Sequence, residues 1–171
     1  AGYDARLIRE IEAATGLPTT TTTTAVLRAL EVLGVSRISL ATPYTDEVNA
    51  LEVKFFEDHG FSVLAHEGGG IVETADIQAC RPEVAYERAR RVDHPDAQAV
   101  FISCTGFRTA EVIAALEADL GKPVISANQA TFADCLRILR VRDVAPGHGR
   151  LLDAHLLYDF QPKTDAPRAV A

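Results

Sequence analysis

The sequence predicts an α/β protein in which a parallel sheet is covered by helices. Segments of roughly 10–15 residues with apolar positions at helical spacing alternate with short runs rich in β-branched residues. Most of the helical segments are closed by a glycine. This alternation is typical of parallel sheets, because parallel neighbouring strands need a crossover helix between them.

Each predicted helix has an apolar stripe and a stop signal. A glycine after a helix supplies the left-handed residue that ends it, and a proline shortly afterwards prevents continuation. Four helices are predicted, with stripes over residues 7–11, 26–33, 48–56 and 112–120, and with stop signals at Gly16 and Pro18, at Gly34, at Gly60, and at Gly121 and Pro123.

Short apolar or β-branched runs predict the strands of the sheet. They cover residues 37–41, 61–65, 99–103 and 123–126. Six threonines at 19–24 predict a further strand that ends in a helix N-cap, since threonine favours both places. Alternatively, the last hydroxyls of this run line a polar pocket.

Composition excludes several classes of function. The 171 residues include 17 basic and 24 acidic side chains, and the net charge of −7 argues against a nucleic-acid or membrane-surface partner. No apolar run approaches the ~20 residues of a membrane span. The three cysteines have no zinc spacing and favour a reducing, cytoplasmic location. Methionine is absent even at position 1, so we expect these residues to be part of a longer protein.

The chain repeats itself at an offset of 105 residues. The unit is a helix, a Gly-x-Pro turn, a strand and a second helix, which indicates a duplicated half-domain. The counterpart of Cys104 then falls at or just before Ala1. The matching positions are Ala5/Ala110, Ile8/Ile113, Glu12/Glu117, Ala13/Ala118, Gly16/Gly121, Pro18/Pro123 and Ala25/Ala130.

Cys104 is the strongest candidate for chemistry. It follows an apolar strand and precedes a loop that leads into a helix, which is where open α/β sheets bind ligands. Backbone N–H groups there favour a thiolate or a substrate carboxylate. The alternative is a buried structural cysteine, which is how we interpret Cys80 and Cys135.

Tyr44 lies in the loop that follows the predicted strand at residues 37–41, within Thr42-Pro43-Tyr44-Thr45-Asp46. We expect its phenol to point into the same crevice as Cys104, and the alternative is a packed tyrosine in a capping loop. Gly68-Gly69-Gly70 is not a dinucleotide or phosphate-binding fingerprint, so no nucleotide cofactor is implied.

A combination of short motifs resembles the maleate cis-trans isomerase and arylmalonate decarboxylase family, within the aspartate/glutamate racemase superfamily. Each motif is weak alone, but they occur together and in the family's order. They are Ser103-Cys104-Thr105-Gly106 with Arg108-Thr109, residues 120–126, Asn128-Gln129-Ala130, residues 14–18 with the threonine run, residues 41–44 and residues 146–151.

The resemblance implies two pseudo-symmetric lobes of Rossmann or flavodoxin type, of which the first is incomplete here. Residues 1–33 would be the remainder of the first lobe and residues 34–126 the second. Residues 127–171 would form a return helix and a tail that packs toward the first lobe.

The resemblance also implies an enzyme without a cofactor. Cys104 would be the second catalytic residue of the family and Tyr44 its substrate-contacting tyrosine, while Thr105 and Gly106 would offer backbone N–H groups to a carboxylate. The isomerases carry an asparagine in the region that here reads Val72-Glu73-Thr74-Ala75, so Thr74 substitutes for it or the substrate is not maleate.

We therefore expect an isomerase of small dicarboxylates that uses thiolate addition and acid/base catalysis. A decarboxylase or racemase that uses the same Cys104 is the enzyme alternative. A non-catalytic module that binds a small acid is the alternative from another class. We expect a small carboxylic acid as the ligand, no cofactor or metal, and a homo-oligomer.

Overall fold

The computed structural model describes residues 2–141 and 145–153. These residues form a four-stranded sheet and eight helices. The elements are α1 (Tyr3–Thr15), α2 (Thr22–Val32), β1 (Arg37–Ala41), α3 (Asp46–Asp58), β2 (Ser62–Glu67), α4 (Thr74–Ala79), α5 (Pro82–Val92), β3 (Ala99–Ile102), α6 (Ile113–Leu120), β4 (Val124–Ser126), α7 (Ala127–Ile138) and α8 (Arg150–Asp153).

The sheet is entirely parallel, with the strand order β2-β1-β3-β4, which confirms the predicted α/β fold. Leu40 pairs with Phe101, and Phe101 pairs with Ile125. This is the flavodoxin-type order, in which the chain leaves β1 in one direction and returns to β3 on its other side. The carboxyl ends of β1 and β3 therefore meet at a crevice.

The strands are buried on both faces, so the core has two layers. One layer includes Ile38, Leu40 and Phe101 and is covered by α2, α3 and α7. The other includes Val100 and Ile102 and is covered by α4, α5 and α6. Strands that are buried on both faces explain the continuous apolar runs of the sequence.

The helix ends support the internal repeat. Gly16 and Gly121 end α1 and α6 with the same left-handed conformation, both at φ 69°. The N–H group of each glycine donates to the carbonyl of a glutamate four residues earlier, Glu12 and Glu117 respectively.

The side chains of these two glutamates are also equivalent. Glu12 Oε1 accepts a hydrogen bond from the backbone N–H of Thr19 at 3.0 Å, and Glu117 Oε1 accepts one from that of Val124 at 2.9 Å. The N-caps Thr21 and Ser126 then start α2 and α7, each accepting from the N–H three residues later. The two repeats therefore have equivalent hydrogen bonds as well as matching residues.

The predicted strand in the threonine run is wrong, although the predicted N-cap is confirmed. Thr21 caps α2, but residues 17–21 form no strand. Their counterpart in the repeat, β4, is held by its ladder with β3. No strand among the described residues lies beside 17–21, and a lone segment has no ladder to join.

The lobe boundaries at residues 33 and 126 stay predictions. The packing of α2 against α7 joins the two repeats. The tail from residue 154 onward lies outside the described residues. None of the helices that the structure describes is both long and apolar enough to cross a membrane.

Candidate active site

Tyr44 and Cys104 are brought together by the crevice of the sheet. Tyr44 follows β1 and Cys104 follows β3, and these two strands are neighbours. Both side chains are half-buried and pack against the same apolar layer. The structure therefore places the two residues side by side, in the crevice that their positions after predicted strands indicate.

Cys104 has a strained backbone. Its φ is +87°, in the left-handed region that residues with a side chain rarely adopt. The loop is fixed on either side of this residue. Ser103 N–H donates to the Ala41 carbonyl at 2.9 Å, and the N–H of the buried Phe107 donates to the Cys104 carbonyl at 3.3 Å. Strain that the surroundings enforce is characteristic of functional sites.

The loop after Cys104 presents unpaired donors. No acceptor within residues 2–141 and 145–153 pairs with the backbone N–H groups of Cys104, Thr105 and Gly106. The Asn128 side chain donates to the Thr105 carbonyl at 2.9 Å and so holds the loop against the start of α7. Consecutive free N–H groups of this kind suit an anion such as a carboxylate.

Tyr44 is suited to donate a hydrogen bond. Burial raises the pKa of Tyr44 well above its ordinary value, and the adjacent Cys104 thiol raises that pKa further. The phenol therefore keeps its proton at neutral pH. It can donate this proton to an oxygen bound beside Cys104.

A chain of hydrogen bonds positions the Tyr44 backbone. Tyr44 N–H donates to Thr42 Oγ1 at 3.2 Å, and Thr42 Oγ1 donates to Asn49 Oδ1 at 3.1 Å. Asn49 is buried in α3, and its Nδ2 donates to His66 Nδ1 at 2.9 Å. His66 thus acts as an acceptor in the support of Tyr44.

The glycine triplet completes this support. Gly70 N–H donates to the Tyr44 carbonyl at 2.8 Å. Cβ atoms added at Gly68 and Gly69 would lie 2.7 Å from the Tyr44 oxygen and 2.6 Å from the Pro43 oxygen. Only glycine allows so close an approach between the loops after β1 and β2. The triplet therefore serves packing of the Tyr44 loop.

Thr74 lies at the start of α4 and is exposed. Its side chain makes no hydrogen bond within the described part of the chain. The helix instead meets the Cys104 loop through Ile77 and Gln78, whose side chains lie 3.7 and 3.6 Å from where a Cβ of Gly106 would be. The predicted role of Thr74 in substrate binding stays a prediction.

A cavity of about 480 Å³ lies on the other side of the loop, between it and α7. Its lining includes Thr105, Gly106, Asn128, Phe132 and His148. Because the first two residues also border the Cys104 crevice, the cavity adjoins the site.

Cys80 and Cys135 lie in other settings. Cys80 ends α4, where its thiol donates to the Asp76 carbonyl at 3.3 Å, and Cys135 lies within α7. Among the described residues, no three His, Cys, Asp or Glu side chains come close enough together to hold a metal ion.

Ser103 and Glu52 lie directly behind the site and were not predicted from the sequence. Ser103 Oγ donates to Glu52 Oε1 at 2.5 Å. One signal was present in the sequence: Glu52 interrupts the apolar stripe of α3, three residues before Phe55 and four before Phe56. A carboxylate on the core side of a helix requires a polar partner.

The family model for arylmalonate decarboxylase matches residues 1–152. The chain belongs to the arylmalonate decarboxylase family. It is 37% identical over 163 residues to an arylmalonate decarboxylase from Bordetella bronchiseptica. The alignment covers 90% of this chain and 65% of that protein. The chain thus spans about two-thirds of the length of this relative.

The chain is also similar to a second curated relative and to a solved structure. A maleate isomerase from Pseudomonas putida is 27% identical over 88% of this chain and 63% of its own length. A crystal structure of a double mutant of arylmalonate decarboxylase, in a liganded form, matches with a TM-score of 0.85 and 33% identity, over 90% of this chain and 66% of that one.

Proposed function

We propose that the chain forms the Cys104 half of a cysteine-dependent enzyme that decarboxylates a substituted malonate. The observation that carries this proposal is the contact of the Cys104 thiol with the Tyr44 phenol, at the start of a loop whose backbone N–H groups are free among the described residues. A thiol proton donor and fixed oxyanion donors are the groups that protonation of an enediolate requires.

These residues act in two steps of the reaction. The N–H groups of Thr105 and Gly106, together with the Tyr44 phenol, bind the carboxylate that is retained. When the bond to the other carboxylate breaks, carbon dioxide leaves and the electron pair forms an enediolate, which the same donors stabilise. Cys104 then gives its proton to the α-carbon, and solvent returns a proton to the thiolate. No step requires a cofactor.

The decarboxylase is preferred over the isomerase for two reasons. The relative with that activity is 37% identical, against 27% for the maleate isomerase. In addition, residues 72–75 contain no asparagine, and Thr74 at this place is exposed. Our first expectation, an isomerase, therefore becomes the second candidate.

The isomerase would use the same thiol differently. The Cys104 thiolate or its counterpart would add to the double bond of maleate, and elimination after rotation would release fumarate. The presence of maleate isomerases among the relatives favours this candidate. In the isomerase reaction the thiol must ionise before it reacts, whereas in the decarboxylase reaction the thiol must carry a proton.

The test is turnover by the intact protein on phenylmalonate and on maleate. We expect release of carbon dioxide from phenylmalonate, with loss of turnover in Cys104→Ala and full turnover in Cys135→Ala. Conversion of maleate to fumarate without decarboxylation would establish the second candidate. Equal turnover in Cys104→Ala and the wild type would remove Cys104 from the mechanism.

A further inference from the structure

Arg88 is a buried cation in α5 that the proposed mechanism does not use. Its Nη1 donates to Glu67 Oε1 at 2.9 Å and to the Gly68 carbonyl at 2.8 Å. The residue is only 9% exposed, and its Nε is buried without a hydrogen-bond partner in the described ranges. Burial of a charge costs free energy, so an incompletely bonded buried ion pair contributes little to the stability of a fold. Stability alone therefore does not account for this arginine.

The carbonyl that Arg88 binds belongs to the first residue of the glycine triplet. Gly68 follows β2 directly, because Glu67 is the last residue of that strand. Within residues 2–141 and 145–153, Arg88 is the only residue whose side chain is hydrogen-bonded to the triplet. One nitrogen atom thus ties the end of β2 and the start of the triplet to α5.

The triplet in turn holds the loop that carries Tyr44. The N–H groups of Gly70 and Ile71 donate to the carbonyls of Tyr44 and Pro43 at 2.8 and 2.9 Å. Gly68 lies so close to the Tyr44 carbonyl that a Cβ would not fit between them. Closely packed segments transmit a displacement rather than absorb it. A shift of Gly68 therefore shifts the backbone of Tyr44.

We propose that Arg88 is a positioning residue for Tyr44, which it fixes by binding the Gly68 carbonyl. Arginine suits this place because one Nη atom carries two N–H groups, one for the carboxylate and one for the carbonyl. A small displacement of a group that binds the substrate lowers the rate of reaction. The inference rests on the role of Tyr44 in the proposed function.

Arg91 offers a matched control on the same helix. It donates to both carboxylate oxygens of Glu67, from Nη2 at 2.7 Å and from Nε at 3.2 Å. It is exposed, and in the part of the chain that the structure describes it makes no hydrogen bond to the triplet. Loss of the Arg88 guanidinium therefore leaves Glu67 paired, whereas loss of the Arg91 guanidinium leaves the bond to Gly68 in place.

The first measurement is hydrogen exchange of the Gly70 and Ile71 amides in the intact protein, resolved by NMR spectroscopy, which needs no substrate. We expect exchange about tenfold faster in Arg88→Met than in the wild type, and unchanged exchange in Arg91→Met. If Arg88→Met does not fold, Arg88→Lys takes its place, because its ammonium group pairs with the Glu67 carboxylate in preference to a neutral carbonyl. Exchange at the wild-type rate in the Arg88 variant would overturn the inference.

The second measurement is a double-mutant cycle with Tyr44→Phe, read as turnover of phenylmalonate. If Arg88 acts through Tyr44, the Arg88 variant should lower kcat by about tenfold when the phenol is present and by less than about twofold in Tyr44→Phe. Equal losses in both backgrounds would refute the positioning role, because a general loss of stability does not depend on the phenol. Wild-type kcat in Tyr44→Phe would contradict the proposed function instead, and amide exchange would still decide whether Arg88 fixes the loop.

Discussion

Gly69 faces the backbone carbonyl of Pro43 so closely that an added Cβ would lie 2.6 Å from its oxygen. This contact joins the loop after β2 to the loop that carries Tyr44. Gly69→Ala must therefore displace Pro43 and the residue that follows it. We expect turnover to fall by about 10- to 100-fold, since small displacements of a substrate-binding group have effects of this size.

The matched control for Gly69→Ala is Gly34→Ala. Gly34 is left-handed at φ 67° with open space around its Cα, so a methyl group there costs about 1 kcal/mol of backbone strain and meets nothing. We expect lower stability with unchanged turnover. If both variants lose turnover equally, the loss reflects stability and the role of the glycine contact is refuted.

The Tyr44 hydroxyl should matter for turnover more than for folding. Tyr44→Phe removes one donor from the oxyanion site, and we expect kcat to fall by about 100-fold with little change in melting temperature. Tyr86→Phe is the control, because Tyr86 is hydrogen-bonded to Asp119 away from the site. Steady-state kinetics on both variants check this, and a Tyr44→Phe enzyme with wild-type kcat would contradict it.

Asp134 should make stability depend on pH in acid. It is fully buried in α7 and accepts hydrogen bonds from Thr20 Oγ1 at 2.6 Å, Arg28 Nη1 at 2.5 Å and Arg137 Nε at 2.7 Å. Burial alone raises the pKa of Asp134, but these three donors outweigh it and lower the pKa below its usual value. The carboxylate therefore stabilises the fold at neutral pH.

This stabilisation is complete above the ordinary Asp pKa of 3.8 and is lost as pH falls through the lower pKa of the folded state. Asp134→Asn should lower the free energy of unfolding by about 3 kcal/mol at neutral pH. The free energy of unfolding of this variant should also vary less with pH below 3.8. Urea unfolding at several pH values checks this. The exposed Asp58→Asn should cost less than about 0.5 kcal/mol, and an equal loss in both variants would contradict the account.

The repeat allows a paired test of one interaction. Glu117 is buried, and its second oxygen also accepts from Arg150 N–H at 2.9 Å, whereas the equivalent Glu12 is exposed. Glu117→Gln turns one acceptor into a donor facing an N–H group, so we expect a loss of about 1–3 kcal/mol. Glu12→Gln should cost less than about 0.5 kcal/mol. Chemical denaturation of both variants measures the difference, and equal losses would contradict it.

The sequence predicts the four strands of the sheet and the helices α1, α2, α3 and α6, because local signals determine them. Glycines at helix ends and buried apolar runs are physical requirements, and they appear at Gly16, Gly121 and the four strands. The threonine run was misassigned because residues 17–21 have strand propensity but no neighbouring strand among the described residues. Propensity alone does not form a ladder.

The site was only partly predictable for a similar reason. Cys104 and Tyr44 follow strands, and the strand order that brings them together is a property of the fold class. The supports of these residues come from elsewhere in the chain. Glu52 and Asn128 reach the Cys104 loop from two different helices, and contacts between distant segments leave little pattern in a single sequence.

The most direct test of the central claim is the relative reactivity of the three cysteines in the intact protein, with and without malonate. If Cys104 lies in a loop that binds a carboxylate, iodoacetamide should label it faster than Cys80 and Cys135, and saturating malonate should slow its labelling by at least about tenfold. Equal labelling of all three cysteines, with no protection by malonate, would contradict the account.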